Sequence, residues 1–161
     1  MTYPTSFLVA PAPTVGRNTT EKAFQMPRPN NTDYAAGRKI LVIDDEQVVR
    51  RVIASCLTAK GYEVDAPPVD TQAGSITASQ AAESPEYDLL IVDLKMPFLD
   101  GLQLIKLLVQ RNVDTPIMVT AGFIHPDLKV YFEQIGISQI LQKPFQLVNL
   151  LEQVQRALRS R

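Results

Sequence analysis

Ile40-Leu41-Val42-Ile43-Asp44-Asp45-Glu46 is the stretch that decides the fold. Four apolar residues follow one another with no polar alternation, the pattern of a strand covered on both faces. The run then breaks into three acids, so a buried strand delivers carboxylates to its carboxyl end. Leu89-Leu90-Ile91-Val92 repeats the pattern and ends in Asp93. Between the two, Glu46–Lys60 sets Val49, Val52, Ile53, Cys56 and Leu57 on one helical face, and Gly61 stops the helix. Tyr62–Ala66 reads as a second strand. Residues 67–85 hold Pro67-Pro68, Gly74 and many small side chains; they predict a helix within 70–83 with Ile76 as its only large anchor.

Downstream the alternation continues. Gly101–Gln110 is a helix entered through the turn pair Asp100-Gly101. Ile117-Met118-Val119 is a strand, Asp127–Ile135 a helix and Gln139–Gln142 a strand. Gln146–Leu158 is a helix turning Leu147, Leu150, Leu151, Val154 and Leu158 inward. Strand and helix alternating five times predict an α/β protein with a five-stranded parallel sheet between two helical layers. Right-handed crossovers select the doubly wound order 2-1-3-4-5. Such sheets bind ligands beyond the carboxyl ends of their strands, at the switch point between the first and third.

The chemistry-bearing residues collect at that rim. Asp44 and Asp45 end the first strand, Asp93 the third, Thr120 the fourth, and Lys143 follows the fifth. Three neighbouring carboxylates raise one another's pKa unless a cation neutralises them. Oxygen ligands without His or Cys point to Mg2+. A hydroxyl and an ammonium facing such a cluster suit a phosphoryl group, whose oxygens need both cation and hydrogen-bond donors. Taken singly, each residue has a plainer explanation: Asp44, Asp45 and Glu46 could cap the first helix, Asp93 could be a solvated strand end, Lys143 a loop cation. His125, before Pro126 at a helix entrance, reads as structural or solvent-exposed. Joint placement at four strand ends favours the functional reading.

These motifs in order, Ile40–Glu46, Asp88–Pro97, Asp100-Gly101, Val119-Thr120-Ala121 and Lys143-Pro144-Phe145, resemble the receiver domain of two-component response regulators, a flavodoxin-like fold, over about residues 38–160. The resemblance implies that Asp93 accepts a phosphoryl group from a sensor histidine kinase or histidine phosphotransfer protein. It implies Mg2+ ligation by Asp45, Asp93 and the main-chain carbonyl of Lys95, with Asp44 acting directly or through a water. Thr120 would hydrogen-bond the phosphoryl group, Lys143 would pair with it, and the Lys143-Pro144 bond is similar to one that is often cis. The chain would then be a signalling domain rather than an enzyme, acting through an unknown downstream protein and as a possible homodimer. The alternative is a receiver-like interaction module independent of phosphorylation. Two features depart from the pattern: Ile140 stands where an aromatic residue is usual, and the stretch from Gly61 to Asp93 is a few residues longer than usual.

The rest of the sequence narrows the field. Residues 1–37 hold five of the twelve prolines and no periodic apolar pattern, so a flexible extension is expected there, with the domain at 38–161. A net charge of −1 supplies no global field for nucleic acid or an anionic membrane. No apolar run approaches a membrane span and the N-terminus is a poor signal peptide, so a cytoplasmic location is expected. The single cysteine, Cys56, excludes an intrachain disulfide and reads as core packing. Asp-Asp-Glu stands where a dinucleotide site needs glycines, and no Gly-x-Ser-x-Gly elbow is present. Lys95 stands where a dehalogenase-type phosphatase would place its second acid. The chain ends with its fifth helix, so no DNA-binding output domain is expected.

Overall fold

A computed structural model of the protein describes residues 35–159. Ten elements alternate along the chain: β1 (Lys39–Ile43), α1 (Gln47–Thr58), β2 (Glu63–Asp65), α2 (Gln72–Ala82), β3 (Leu89–Asp93), α3 (Gly101–Gln110), β4 (Ile117–Ala121), α4 (Pro126–Gln134), β5 (Gln139–Gln142) and α5 (Leu147–Arg159). The strands form one parallel sheet in the order β2-β1-β3-β4-β5. The expected topology is therefore the observed one.

Successive residues of a strand point to opposite faces, and here each face meets its own core. Leu41 and Ile43 of β1, with Leu90 and Val92 of β3 and Val119 of β4, pack against Ala78 of α2, Leu104, Ile105 and Leu108 of α3, and Phe132 of α4. Ile40, Val42, Leu89, Ile91 and Met118 face the other way, onto Ile53 and Leu57 of α1 and Leu150 and Val154 of α5. All five residues of β3 and all five of β4 are buried, which is why these strands read as unbroken apolar runs.

Several inward faces differ from the sequence expectation. Ile76, the expected anchor of α2, is 53% exposed, and the helix buries Ser75, Ala78 and Ala82 instead. Small side chains and capping hold it: Thr71 Oγ1 accepts from the Gly74 N–H, and Ser75 Oγ donates to the Val69 carbonyl. On α1, Val52 is 43% exposed while Arg50 is buried at a core position. On α5, Leu147 is exposed and Ala157 takes a buried place. Gly61 closes α1 at φ +93, a left-handed geometry that a side chain would disfavour.

The flexible extension expected at 1–37 falls, up to residue 34, outside the described residues. Ala35 is buried against the α1–α5 core, and its carbonyl accepts from the Arg38 N–H at 3.1 Å. Among the described residues, no helix is long and apolar enough to cross a membrane.

Candidate functional site at the carboxyl ends of the strands

The parallel sheet decides where polar side chains meet. Because β1, β3 and β4 run in one direction in close register, the residues at their ends are neighbours. Asp93 lies opposite Thr120, and the Lys143 N–H donates to the Ala121 carbonyl at 2.7 Å as the chain leaves β5. Carboxylate oxygens of Asp44, Asp45 and Asp93 all lie within 4.8 Å of one another. Lys143 Nζ reaches into this group, 2.8 Å from Asp44 Oδ2, 3.0 Å from Glu46 Oε1 and 3.4 Å from Asp93 Oδ2. The Lys143–Pro144 peptide is cis.

Burial sets the electrostatics. Loss of water pushes the Asp93 carboxyl up to about 6; Lys143 opposes the rise, and the charges of Asp44 and Asp45 add to it. Asp44 is raised as well, burial again outweighing its contact with Lys143. Burial disfavours the Lys143 ammonium, yet Asp44, Glu46 and Asp93 together hold it above the usual lysine range. One ammonium among four acids thus leaves the pocket with excess negative charge.

Two buried oxygens also have unused capacity. Thr120 is fully buried, and its Oγ1 has no hydrogen-bond partner among the described residues. Asp44 Oδ2 is in ionic contact with Lys143 but lacks an aligned hydrogen bond. Buried polar atoms in folded proteins are nearly always satisfied. Among the described residues a third such atom, Gln153 Oε1, is on α5, so it is the pairing of these two with three carboxylates at the strand ends that suits a ligand. The donor set is all oxygen, and the deficit is of positive charge; these residues fit a hard divalent cation.

Gly101 explains how tightly the site is built. A Cβ there would fall 1.9 Å from the Asp93 carbonyl oxygen, and its N–H donates to the Leu94 carbonyl at 3.3 Å. The Asp100-Gly101 pair therefore does more than turn the chain. Asp100 caps α3, accepting from the Gln103 N–H, while Gly101 lets the helix start against the main chain of Asp93.

Of the residues singled out in the sequence, Asp44, Asp45, Asp93, Thr120 and Lys143 come together at the strand ends. Lys95 lies two residues past Asp93 in a bridge with Asp100, its side chain exposed. His125 is exposed and caps α4, its Nδ1 accepting from the Asp127 N–H. The helix-capping explanation for the acids holds only in part: Asp44 Oδ1 accepts from the Glu46 N–H at 2.9 Å, but Glu46 makes no side-chain cap and turns to Lys143. Sequence reading missed Glu46 as a partner of Lys143, and it missed Arg50, whose Nη1 donates to the Asp44 carbonyl at 2.5 Å. A signal for Arg50 existed: with Ile53 and Leu57 it completes an i, i+3, i+7 buried stripe, where a charge is out of place.

Exposed apolar side chains occur in the segments that follow β1, β3 and β4. Val48, Phe98 and Phe123 are all more than half exposed. An adjoining groove of about 410 Å3 runs between α1 and the segment after β5; Val48, Val49, Val52, Pro144 and Phe145 line it, with Glu46 and Lys143 at its polar side.

Comparison with known proteins agrees with this architecture. Residues 40–155 match the family described as response regulator receiver domain. The transcriptional regulatory protein PdtaR of Mycobacterium tuberculosis is 30% identical over 128 residues, covering 80% of this chain and 60% of the relative. Response regulator MprA of Mycobacterium avium is 32% identical over 121 residues, covering 75% of this chain and 51% of its own length. The chain thus spans little more than half the length of these relatives. Among solved structures, the chemotaxis protein CheY4 of Vibrio cholerae superposes with a TM-score of 0.64 at 28% identity, covering 76% of this chain and 100% of that one. A receiver domain protein from Methanospirillum hungatei, 21% identical, shares the fold with a TM-score of 0.65 over 76% of this chain and 94% of its own.

Proposed function

This chain belongs to the response regulator receiver domain family, and on that premise we propose that it accepts a phosphoryl group on Asp93 from a sensor histidine kinase or histidine phosphotransfer protein and signals through partner binding. The observation that carries this reading is the unspent polar capacity of the pocket: three carboxylates within 4.8 Å, one ammonium, and a buried threonine hydroxyl with no partner among the described residues. A site built only for stability would pair these groups.

An Asp93 carboxylate oxygen attacks the phosphorus of a phosphohistidine; the P–N bond breaks, and its electron pair stays with the imidazole. Asp44, Asp45, Asp93 and the Lys95 carbonyl would hold Mg2+, which when bound supplies positive charge to the phosphoryl oxygens. Thr120 Oγ1 donates to one phosphoryl oxygen. Lys143 exchanges part of its contact with the acids for an ion pair with the new group. Asp93 must be ionised to act, and neutralisation of the pocket lowers its raised pKa toward the ordinary range. The exposed Val48, Phe98 and Phe123 after the strand ends and the largely apolar groove beside Lys143 support a protein as the phosphodonor, because apolar surface of this kind is covered by another macromolecule.

The test is incubation with a small phosphodonor and Mg2+, followed by intact mass and peptide mapping. One phosphoryl group on Asp93 is expected, with none on Asp93→Asn. Robust labelling of Asp93→Asn at a histidine or serine would sink the assignment.

A further inference from the structure

Resting on the reading of the pocket given above, we propose that Arg50 is a positioning residue for the acid pair: its buried guanidinium pins the turn after β1 and thereby sets the affinity of the pocket for a divalent cation. Arg50 is the fourth residue of α1 and only 5% exposed. Among the described residues it forms no ion pair. Burying a cation without an anion is costly, and a cation in the first turn opposes the helix dipole. A residue carrying both penalties needs a compensating contact, and one is present.

Arg50 Nη1 donates to the Asp44 carbonyl at 2.5 Å, Asp44 Oδ1 accepts from the Glu46 N–H at 2.9 Å, and the Glu46 carbonyl accepts from the Arg50 N–H at 2.9 Å. The three bonds close a ring through Asp44, Glu46 and Arg50. Asp45 lies between two members of that ring. Its own carboxylate makes no hydrogen bond among the described residues, so the path of the main chain is what aims it at Asp44 and Asp93. A guanidinium suits the task because it keeps its charge when buried and reaches with a rigid fork, which a lysine does not reproduce.

Two measurements on the full chain decide the matter: amide hydrogen exchange without metal, and calorimetric titration with Mg2+. Arg50→Met should speed exchange of the Glu46 N–H more than that of the α1 amides. It should also weaken Mg2+ binding roughly tenfold or more, as losing a residue that orients a ligand commonly does. Arg50→Lys should fall between it and wild type. Leu57→Ala, in the same helix and fully buried, controls for stability; it should lower the melting temperature and leave Mg2+ affinity within about twofold. Should Arg50→Met not fold, Arg50→Lys and Arg50→Gln carry the same comparison. Unchanged Mg2+ affinity or unchanged Glu46 exchange in a folded Arg50 variant overturns the proposal, as does equal weakening by Leu57→Ala. Absence of Mg2+ binding to wild type would instead refute the reading of the pocket, leaving the exchange data to judge the pinning alone.

Discussion

Lys39 and Lys143 are both set among carboxylates, at opposite ends of one sheet. Lys39 opens β1 and lies 3.1 Å from Asp65 Oδ2 and 2.8 Å from Glu86 Oε2, with its ammonium 5.0 Å above the Tyr87 ring. Arg38 pairs with Asp88 beside it, and the Tyr87 hydroxyl donates to Asp65 at 2.8 Å. Lys143 sits at similar distances from Asp44, Glu46 and Asp93. The consequences have opposite sign. Asp65 is held below the usual range, first by the Tyr87 hydroxyl, whereas Asp93 is pushed up to about 6 by burial. Side-chain exposure accounts for the difference: 48% at Asp65 against 6% at Asp93. Water still shares the charge at the first cluster, so pairing there is a modest net gain. At the second, the acids have lost more hydration than one lysine returns. Partner count does not tell a fastening from a binding site; the balance between desolvation and pairing does.

The contrast breaks most decisively at Asp93. Asp93→Asn should abolish phosphoryl labelling and, in metal-free protein, raise stability by about 1 kcal/mol or more, because a buried charge among like charges is gone. Denaturant unfolding with a chelator present checks the second part, and a loss of stability would show that the pocket is paired like the Lys39 cluster. Mg2+ sharpens the same point. At a hundred times its dissociation constant it should add about 2.7 kcal/mol to wild type and far less to Asp45→Ala, read as a shift in melting temperature.

Gly101→Ala should cost about 1–3 kcal/mol, since the new Cβ would meet the Asp93 carbonyl oxygen. It should also slow phosphorylation; urea titration and labelling rate report the two effects. The smallest effect belongs to the other end. The folded protein holds the Asp65 proton less tightly than the unfolded chain does, so this pair contributes stability above the usual Asp range and loses it as pH falls below that range and through the lower folded value. Tyr87→Phe should therefore be less stable than wild type by under about 1 kcal/mol near neutrality. The gap should begin to narrow near about pH 4 and shrink further as acid protonates Asp65 in the folded protein. A gap that persists in acid would assign the loss to packing of the ring.

The strands and most of the pocket were legible in sequence for one physical reason. A buried parallel strand must be apolar along its length, so acids appear only where it ends, and parallel alignment puts those ends together. Asp44, Asp93 and Thr120 follow from that rule, with Lys143 just past β5. The inner face of α2 was not legible, because Ser75, Ala78 and Ala82 carry little hydropathy while the exposed Ile76 carries much. Gly101 looked like a turn former, since nothing local reveals that the Asp93 carbonyl lies against it. The Lys39 cluster was hidden by separation along the chain: Asp65 and Glu86 reach Lys39 only once β2 and β3 flank β1.

The alternation of β1 and β3 residues between two cores makes the sheet a partition. Side chains above it and below it share strands but form separate clusters. Substitutions confined to opposite sides, such as Leu57→Ala and Leu108→Ala, fall in different clusters, so their free-energy costs should sum. Pairs within one side, such as Leu104 with Leu108, need not sum. The domain therefore has two nearly independent allowances for sequence drift: the α1–α5 side can be rebuilt while the α2–α3–α4 side keeps its residues, and the acids at the rim stay where the strands end.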